Sequence, residues 1–202
     1  MKKTIHVIRH GQTDYNLKRI IQGSGIDSDL NEKGRQQGIS FFNKYKDFPF
    51  QVVLTSTLKR THQTVASFID SGLPWEQFEE IVEMHWGKHE GKTGNPEMHK
   101  DYIRVVGSGT FDERIEGGES INDVVRRLQK FIAHLEDRSE ENILVCLHGR
   151  VMRVLMCLLD KNDLTKMDDY PHANTGLYVV EYENREFSII ERNLLDHLSK
   201  DL

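Results

Sequence analysis

Three short apolar segments do most to limit how this chain can fold. They are Ile5–Ile8, Val52–Leu54 and Ile143–Leu147, which are rich in valine, isoleucine and leucine, with His6 as their one strongly polar member. Segments of this length and composition suit strands that are buried on both faces of a parallel sheet. Each is followed by a turn or loop and then by a helical pattern, so the sequence predicts alternating strands and helices.

Four segments predict helices, because they carry apolar residues at helical spacing or are apolar nearly throughout. They are Glu32–Lys46, Leu58–Ile69, Ile121–Glu136 and Val151–Leu159. Ser120 directly precedes the third segment, and Asp123 lies three positions after Ser120. This spacing resembles the capping box found at helix starts.

The end of the chain predicts a β-hairpin, since Leu177–Tyr182 and Phe187–Ile190 are strand-like and flank a short polar loop. Together with the alternating elements before it, the hairpin predicts an α/β fold. We expect a three-layer αβα sandwich whose sheet is mainly parallel with an antiparallel edge. A length of 202 residues favours a single domain that spans residues 1–202, and a division into two domains is less favoured.

The net charge of −5 gives no basic excess to attract a nucleic acid or an anionic membrane, so we expect neither as a partner. Any bound anion must be held by a few placed cations. Cys146 and Cys157 lie in apolar segments and are expected to be buried free thiols. The first residues are too polar for a signal peptide, and no stretch approaches the roughly 20 apolar residues of a membrane span. We therefore expect a cytoplasmic protein, and the sequence does not indicate its oligomeric state.

Polar residues follow each of the three apolar segments. The first segment ends in Arg9 and His10, the second leads to Arg60, and the third ends in His148. Ligands of open α/β sheets bind beyond the carboxyl ends of the strands. If these strands are parallel and adjacent, two guanidinium groups and two imidazoles meet at one edge of the sheet.

Such a cluster suits a tetrahedral phosphate dianion. The planar guanidinium group matches phosphate oxygens, and a neutral imidazole can attack phosphorus. One histidine would be the nucleophile, and the other would steady the charge on the transferring oxygens. The leaving alcohol also needs a proton, for which Glu83 and Glu90 are the candidate acids.

Six short blocks then occur in a characteristic order. They are Arg9–Thr13 with Asn16, Asp29–Asn31 with Gly34, Ser56–Arg60 with Gln63 and Thr64, Glu83 with Gly87, Glu90 and Gly91, Gly117–Ser120, and His148 with Gly149. In these blocks the chain resembles the histidine phosphatase superfamily, also called phosphoglycerate mutase-like, and the resemblance covers most of the sequence. Many relatives have a second glycine where this chain has Arg150.

The resemblance implies a role for each matching position. It implies that His10 is the nucleophile that forms a phosphohistidine, and that Glu83 is the general acid and then the base that activates water. It implies phosphate contacts from Arg9, Arg60 and His148, with Asn16, Gln22 and Gly149 as further substrate-binding residues. No metal and no cofactor is implied, and His85 and His89 do not predict a metal pair, because Gly87 weakens a helix between them and no third ligand is evident.

Three functions remain open at this point. The favoured one is a phosphomonoester hydrolase acting on a small anionic phosphorylated metabolite, such as a sugar phosphate or a phosphoglycerate. The first alternative is a phosphoglycerate mutase, which would need extra cations after the acid, whereas Lys92–Lys100 holds two lysines and no arginine pair. The second is a phosphate-binding module, which would have no use for both His10 and Glu83.

The segment Lys92–Ile115 is expected to be a loop that forms the substrate-selecting wall of the pocket. Its plausible substrate contacts are Lys92, His99, Lys100, Tyr102 and Arg104.

Overall fold

One six-stranded sheet organises the computed structural model, which describes residues 2–107 and 109–199. The strands lie in the order β3-β2-β4-β1-β5-β6. Their bounds are β1 Lys3–Arg9, β2 Val52–Ser56, β3 Trp75–Phe78, β4 Asn142–Leu147, β5 Leu177–Glu183 and β6 Glu186–Leu194. The β1–β4, β2–β4 and β2–β3 pairs are parallel, and the β1–β5 and β5–β6 pairs are antiparallel. The predicted sheet, mainly parallel with an antiparallel edge, is confirmed.

Helices cover both faces of this sheet. They are α1 Asp14–Leu17, α2 Glu32–Tyr45, α3 Lys59–Thr64, α4 Ala66–Asp70, α5 Pro96–Gly107, α6 Ile121–Asp137 and α7 Gly149–Leu159. Alternate residues of β4 serve opposite faces: Ile143 and Val145 pack in the hydrophobic cluster that includes α6 and α7, whereas Leu144 and Cys146 pack with residues of α2 and α4. A strand buried on both faces is therefore apolar throughout, which confirms the αβα sandwich.

The helix starts follow local sequence signals. Ser120 Oγ accepts a hydrogen bond from the Asp123 N–H at 3.1 Å, and the Asp123 carboxylate accepts from the Ser120 N–H at 2.9 Å. This reciprocal pair is the predicted capping box, and it satisfies two backbone donors at the start of α6. Asn31 caps α2 by accepting from the Gly34 N–H at 2.9 Å.

Three features differ from the expectations. The predicted helix Leu58–Ile69 is two helices, α3 and α4, because Val65 leaves the helical region at φ −108° and ψ 16°. Strand β3 was not predicted, and three of its four residues are exposed at the sheet edge, so it lacks an apolar signature.

The third difference is in Lys92–Ile115, where the expectation of a loop is wrong because helix α5 occupies Pro96–Gly107. Asn95 caps this helix by accepting from the Met98 N–H at 2.9 Å. A proline at the first helical position after an asparagine cap is an ordinary helix-start signal.

Both cysteines are buried free thiols, as predicted, and burial raises the pKa of Cys157 to about 11. Across residues 2–107 and 109–199, no helix has the length and apolar character needed to traverse a bilayer.

His6 of β1 is a titratable side chain buried in the core. Its ring centroid lies 4.4 Å from that of Phe48 and 5.1 Å from that of Phe50, and burial lowers the pKa of His6 to about 4. Its pKa in the unfolded chain is near 6.5, so the unfolded state takes up a proton first as the pH falls.

We expect the free energy of unfolding to fall between pH 6.5 and about 4, by up to about 1.4 kcal/mol per pH unit from this one group. The variant His6→Phe should show a shallower fall than the parent over this interval. Urea denaturation at pH 7.5, 6 and 5 measures both slopes, and equal slopes would contradict the prediction.

Candidate active site

The carboxyl ends of β1, β2 and β4 meet at one edge of the sheet. Parallel pairing sets Arg9 beside Leu147, so His10 and His148 are the next residues on adjacent strands. Their ring centroids are 5.2 Å apart. Arg60 lies in the first turn of α3 directly after β2, and its Nε donates to His148 Nδ1 at 3.1 Å. The four predicted residues are thus brought together.

His10 has one ring nitrogen free for chemistry. Its Nδ1 lies 2.7 Å from the carbonyl oxygen of Gly11, and a carbonyl only accepts, so Nδ1 carries the proton. Burial, followed by the charges of Arg60 and Arg9, lowers the pKa of His10 well below its usual value. The ring is therefore neutral near pH 7, and Nε2 keeps its lone pair.

His148 is fully buried at the cap of α7. Because an arginine only donates, His148 Nδ1 accepts from Arg60, and the ring proton on Nε2 is directed at Ser56 Oγ, 2.7 Å away. Burial, then Arg60 and His10, lowers the pKa of His148 well below its usual value. Both ring nitrogens are engaged within the protein, and His148 is not among the residues that line the cleft described below.

The two arginines differ in how their donors are used. Arg60 is fully buried and donates from Nη1 to the Ile26 carbonyl at 2.7 Å and from Nη2 to the Gly23 carbonyl at 3.3 Å. Arg9 donates from Nη1 to the His172 carbonyl at 2.7 Å, while its buried Nε finds no hydrogen-bond partner among the described residues. Burial lowers the pKa of Arg9 to about 10, which leaves it charged near neutral pH. An unpaired buried donor is costly, so a bound anion here would be stabilising.

The carboxylate of Glu83 is held at the start of α7. Its Oε2 accepts from the Arg150 N–H at 3.1 Å, and Oε1 accepts from the Val151 N–H at 3.2 Å and the Met84 N–H at 2.9 Å. These bonds occupy backbone donors that a helix start leaves without intrahelical partners. The side chain is thereby fixed at the cleft, which Glu83 lines.

Glu90, the other candidate acid, has a structural position. Its Oε1 accepts from the Trp86 N–H at 2.9 Å, and its carboxylate packs against the backbone at Gly23 and Gly25. Glu90 is not among the cleft-lining residues. Of the two candidates, only Glu83 faces the cleft.

Asn16 and Gln22 line the cleft and are both tied to Thr13. Asn16 Oδ1 accepts from the Thr13 N–H at 3.1 Å, which caps α1, and Gln22 Nε2 donates to Thr13 Oγ1 at 2.6 Å. Gln22 Oε1 also accepts from the Ser28 hydroxyl. Their amide groups are therefore oriented by the protein.

Gly149 lines the cleft as the first residue of α7. A Cβ atom at this position would lie 2.7 Å from the His172 ring and 3.3 Å from Arg9 Nε. The missing side chain therefore lets the helix start approach Arg9 closely.

Sequence reasoning missed two residues of this edge, His172 and Asn174. His172 lines the cleft, and burial followed by the charge of Arg9 lowers its pKa to about 3. Asn174 donates from Nδ2 to the His10 carbonyl at 3.0 Å. Both precede β5, which runs antiparallel to β1, so its amino end lies at the same edge as the carboxyl end of β1. That topological rule would have pointed to them.

The cleft has a volume of about 720 Å³, and its lining combines Arg9, His10 and Glu83 with a set of apolar side chains. Of the five substrate contacts expected in Lys92–Ile115, only His99 and Tyr102 line it. Arg104 instead pairs with Asp101 at 3.1 Å and with Glu113 at 2.5 Å, away from the cleft. The expected substrate contacts from Lys92, Lys100 and Arg104 are therefore wrong for this cleft, whereas His99 and Tyr102 are placed to make them.

Arg150 continues α7 without disturbing it and places its side chain in the cleft wall. Its guanidinium donates to Asp168 Oδ1 at 2.7 Å and to the Tyr102 hydroxyl at 2.5 Å. Arg150 thus connects α7 to α5.

Among the described residues, no cluster of three or more histidine, cysteine or acidic side chains is arranged to hold a metal ion. His89 Nε2 pairs with Asp101 at 2.8 Å, and His85 Nδ1 accepts from the Gly87 N–H at 3.0 Å.

Comparison with known proteins decides the family. Residues 5–194 match the sequence model of the histidine phosphatase superfamily, branch 1. The chain belongs to this superfamily. A protein of Hydrogenobacter thermophilus provisionally named phosphoserine phosphatase 2 is 26% identical over 96% of this chain and 97% of its own length. Mouse 6-phosphofructo-2-kinase/fructose-2,6-bisphosphatase 1 is 32% identical over 88% of this chain. The matched region is only 36% of the length of the mouse protein.

Solved structures share the fold. Bacillus stearothermophilus YhfR superposes with a TM-score of 0.82 at 27% identity and covers 96% of this chain and 98% of its own. The phosphoserine phosphatase of Entamoeba histolytica, in complex with 3-phosphoglyceric acid, superposes with a TM-score of 0.83 at 23% identity. The superposition covers 98% of this chain and 100% of that structure. Membership of this superfamily supports a phosphatase.

Gly11 provides a test of how the site is built. A Cβ atom there would lie 2.6 Å from the Gly34 carbonyl oxygen, a backbone atom that cannot turn aside. We expect Gly11→Ala to destabilise the protein by about 1–3 kcal/mol, as overpacking does. Gly94→Ala is the control, since no atom lies within 4 Å of its Cβ position. Urea denaturation measures the free energy of unfolding of both variants. Equal stabilities would contradict the expected clash between a Cβ atom at Gly11 and the Gly34 carbonyl.

Proposed function

We propose that this protein is a phosphomonoester hydrolase that cleaves a small phosphorylated metabolite through a phosphohistidine at His10, without a metal ion. The observation that supports this most directly is the state of His10. Its Nδ1 proton is committed to the Gly11 carbonyl, the ring is buried and neutral, and Nε2 is left as a nucleophile.

In the first step the lone pair of His10 Nε2 attacks phosphorus. The N–P bond forms as the bond from phosphorus to the alcohol oxygen breaks, and Glu83 gives its proton to the leaving oxygen. In the second step Glu83 takes a proton from water, whose oxygen attacks phosphorus and displaces His10. Inorganic phosphate leaves, and the enzyme returns to its starting protonation state.

The charged end of the cleft suits the oxygens of the transferring group. Arg9 is charged and has an unpartnered Nε, and Arg60 adds a second buried positive charge. We assign His148 a donor role toward a phosphate oxygen through its Nε2 proton, which requires the ring to shift from its present contacts with Ser56 and Arg60. Electrostatic stabilisation of this kind does most of the work in phosphoryl transfer.

Three further cleft residues are assigned to the substrate. Asn16 and Gln22 offer amide groups that are already oriented through Thr13. Gly149 leaves room beside Arg9 and lies at the start of α7, where the helix dipole favours an anion.

A mutase is the weaker alternative, because it must also grip a second anionic group of its substrate. Beyond the phosphate end, the lysines and Arg104 of the Lys92–Ile115 segment do not line the cleft, and Arg150 is paired with Asp168. A phosphate-binding module is weaker still, since it would not need an oriented Glu83 opposite a nucleophile. The names of the relatives, phosphoserine phosphatase and fructose-2,6-bisphosphatase, also favour hydrolysis of small phosphorylated substrates.

The proposal predicts that His10→Ala lowers turnover by several factors of ten, since the nucleophile is removed. Phosphate release from a panel of phosphomonoesters, assayed with EDTA present, measures the loss. Isomerisation of 3-phosphoglycerate, run alongside, tests the mutase. Rapid quenching of the parent should also trap a phosphoenzyme that is labile in acid and stable in base, and the variant should not form it. Turnover by the variant within tenfold of the parent would rule out the nucleophile.

The assignment of Glu83 predicts a dependence on the leaving group. Glu83→Gln should slow alkyl phosphates by roughly a hundredfold or more and aryl phosphates bearing nitro groups much less, because only the former need a proton on departure. Glutamine keeps one acceptor oxygen for the Val151 and Met84 N–H groups, but its amide nitrogen cannot accept from the Arg150 N–H. Urea denaturation of the variant is therefore the control for loss of stability. The measurement is kcat for both classes, and an equal loss on the two would remove Glu83 from the acid role.

A further inference from the structure

Outside the phosphate site the cleft is lined mainly by apolar side chains, with Asn95, His99 and Arg150 as polar residues among them. We call the apolar part of this surface the apolar wall, and it consists of Ile20, Ile21, Trp86, Met98, Tyr102 and Ile115. These residues come from the segment after α1, the segment after Glu83, helix α5 and the stretch before α6. Four separate parts of the chain therefore present apolar groups to the same space.

The apolar wall is anchored in the hydrophobic core. Ile115 is 1% exposed and Trp86 is 8% exposed, and both belong to the larger core cluster, against which Ile21 and Tyr102 also pack. A wall fixed in this way is preformed, as the lining of small-molecule sites usually is.

Helix α5 closes the wall from one side and is held in place by an ion pair and a hydrogen bond. Lys88 Nζ lies 2.6 Å from a Glu97 carboxylate oxygen, and His89 Nε2 lies 2.8 Å from Asp101 Oδ2. Met98 is turned inward and lines the cleft, whereas Ile103 on the same helix is 53% exposed. The inward face of α5 is therefore the one that a substrate would meet.

The arginine beside the wall is already paired with a carboxylate, and His99 is the other basic side chain near Met98 in the lining. Arg150 is bound to Asp168 and to the Tyr102 hydroxyl, and its guanidinium carbon lies 5.2 Å from the Tyr102 ring centroid. Arg153 shares the same Asp168 oxygen at 2.6 Å. A second anion on the substrate would have to compete with this carboxylate, and an anion buried without a partner is costly.

We propose, on the basis of the function above, that the substrates of this enzyme are monophosphates of apolar alcohols, either aromatic or branched aliphatic, without a second negative charge. The phosphate would lie at His10, and the apolar part of the alcohol would lie against the wall between Trp86 and Met98. Removing apolar surface from water supplies the binding energy. The proposal departs from the expected sugar phosphate or phosphoglycerate, and from substrates such as phosphoserine that carry a further charge.

Binding of phosphonates, which cannot be hydrolysed, tests the wall separately from catalysis. The three ligands are propylphosphonate, 3-phenylpropylphosphonate and 3-(4-carboxyphenyl)propylphosphonate, which share one linker and differ in the apolar ring and one charge. Calorimetry with the parent enzyme should show the phenyl ligand binding about tenfold or more tighter than either of the others. Equal affinities, or tighter binding of the carboxylated ligand, would overturn the proposal.

A pair of variants on α5 assigns the effect to the wall. Met98→Gln keeps the length of the side chain and makes the inward face polar, so it should reduce affinity for the phenyl ligand about threefold to tenfold and leave propylphosphonate unchanged. Ile103→Gln makes the same kind of change on the exposed face and should leave both affinities unchanged. If the two variants behave alike, the wall does not bind the ligand.

The same substrate classes, assayed as phosphate esters, distinguish this inference from the function on which it rests. Turnover of ethyl phosphate with no gain for 2-phenylethyl phosphate would reject the wall and retain the hydrolase. Selective binding of the phenyl ligand with no turnover of any ester would reject the hydrolase and retain the wall.

Discussion

The hydrogen bond from His10 Nδ1 to the Gly11 carbonyl is the constraint on which the site depends. It fixes the tautomer, because only the other nitrogen then has a lone pair, and it fixes the ring plane relative to β1. The backbone that carries this carbonyl is closely packed, since a Cβ atom at Gly11 would lie 2.6 Å from the Gly34 carbonyl oxygen. A side chain at this position would push the backbone away and move His10 with it. The reactivity of His10 is thus set by backbone geometry as much as by its neighbours.

The second constraint is electrostatic. Arg60, His10 and His148 are buried and Arg9 is half-buried, so the site gathers positive charge and neutral imidazoles in a region of low dielectric. Burial keeps the two histidines neutral, which preserves a nucleophile, while the arginines stay charged, which favours an anion. The unpartnered Arg9 Nε marks where this arrangement is incomplete without a ligand. Charge and protonation state therefore both favour a phosphate beside Nε2.

The sequence correctly predicted the elements that depend on a local apolar pattern and the residues that follow the carboxyl ends of the parallel strands. The apolar segments predicted β1, β2 and β4, and the residues after them predicted the cluster around His10. It failed where the signal is weak or depends on topology: β3 is a largely exposed edge strand, and His172 reaches the site only because β5 runs antiparallel to β1. The polar surface of α5 hid its helical start at Asn95 and Pro96, and with it the apolar face that Met98 presents.

Arg150 connects the two ends of the cleft. Its backbone N–H holds the Glu83 carboxylate, while its guanidinium holds the Tyr102 hydroxyl of α5 through the arrangement with Asp168. A glycine at this position would supply the first contact but not the second, so α5 would lose one of its attachments to α7. Arginine adds a cation to the cleft wall, but that cation is already paired with Asp168. A second anion on the substrate would have to displace this carboxylate, which under our proposal favours an uncharged alcohol.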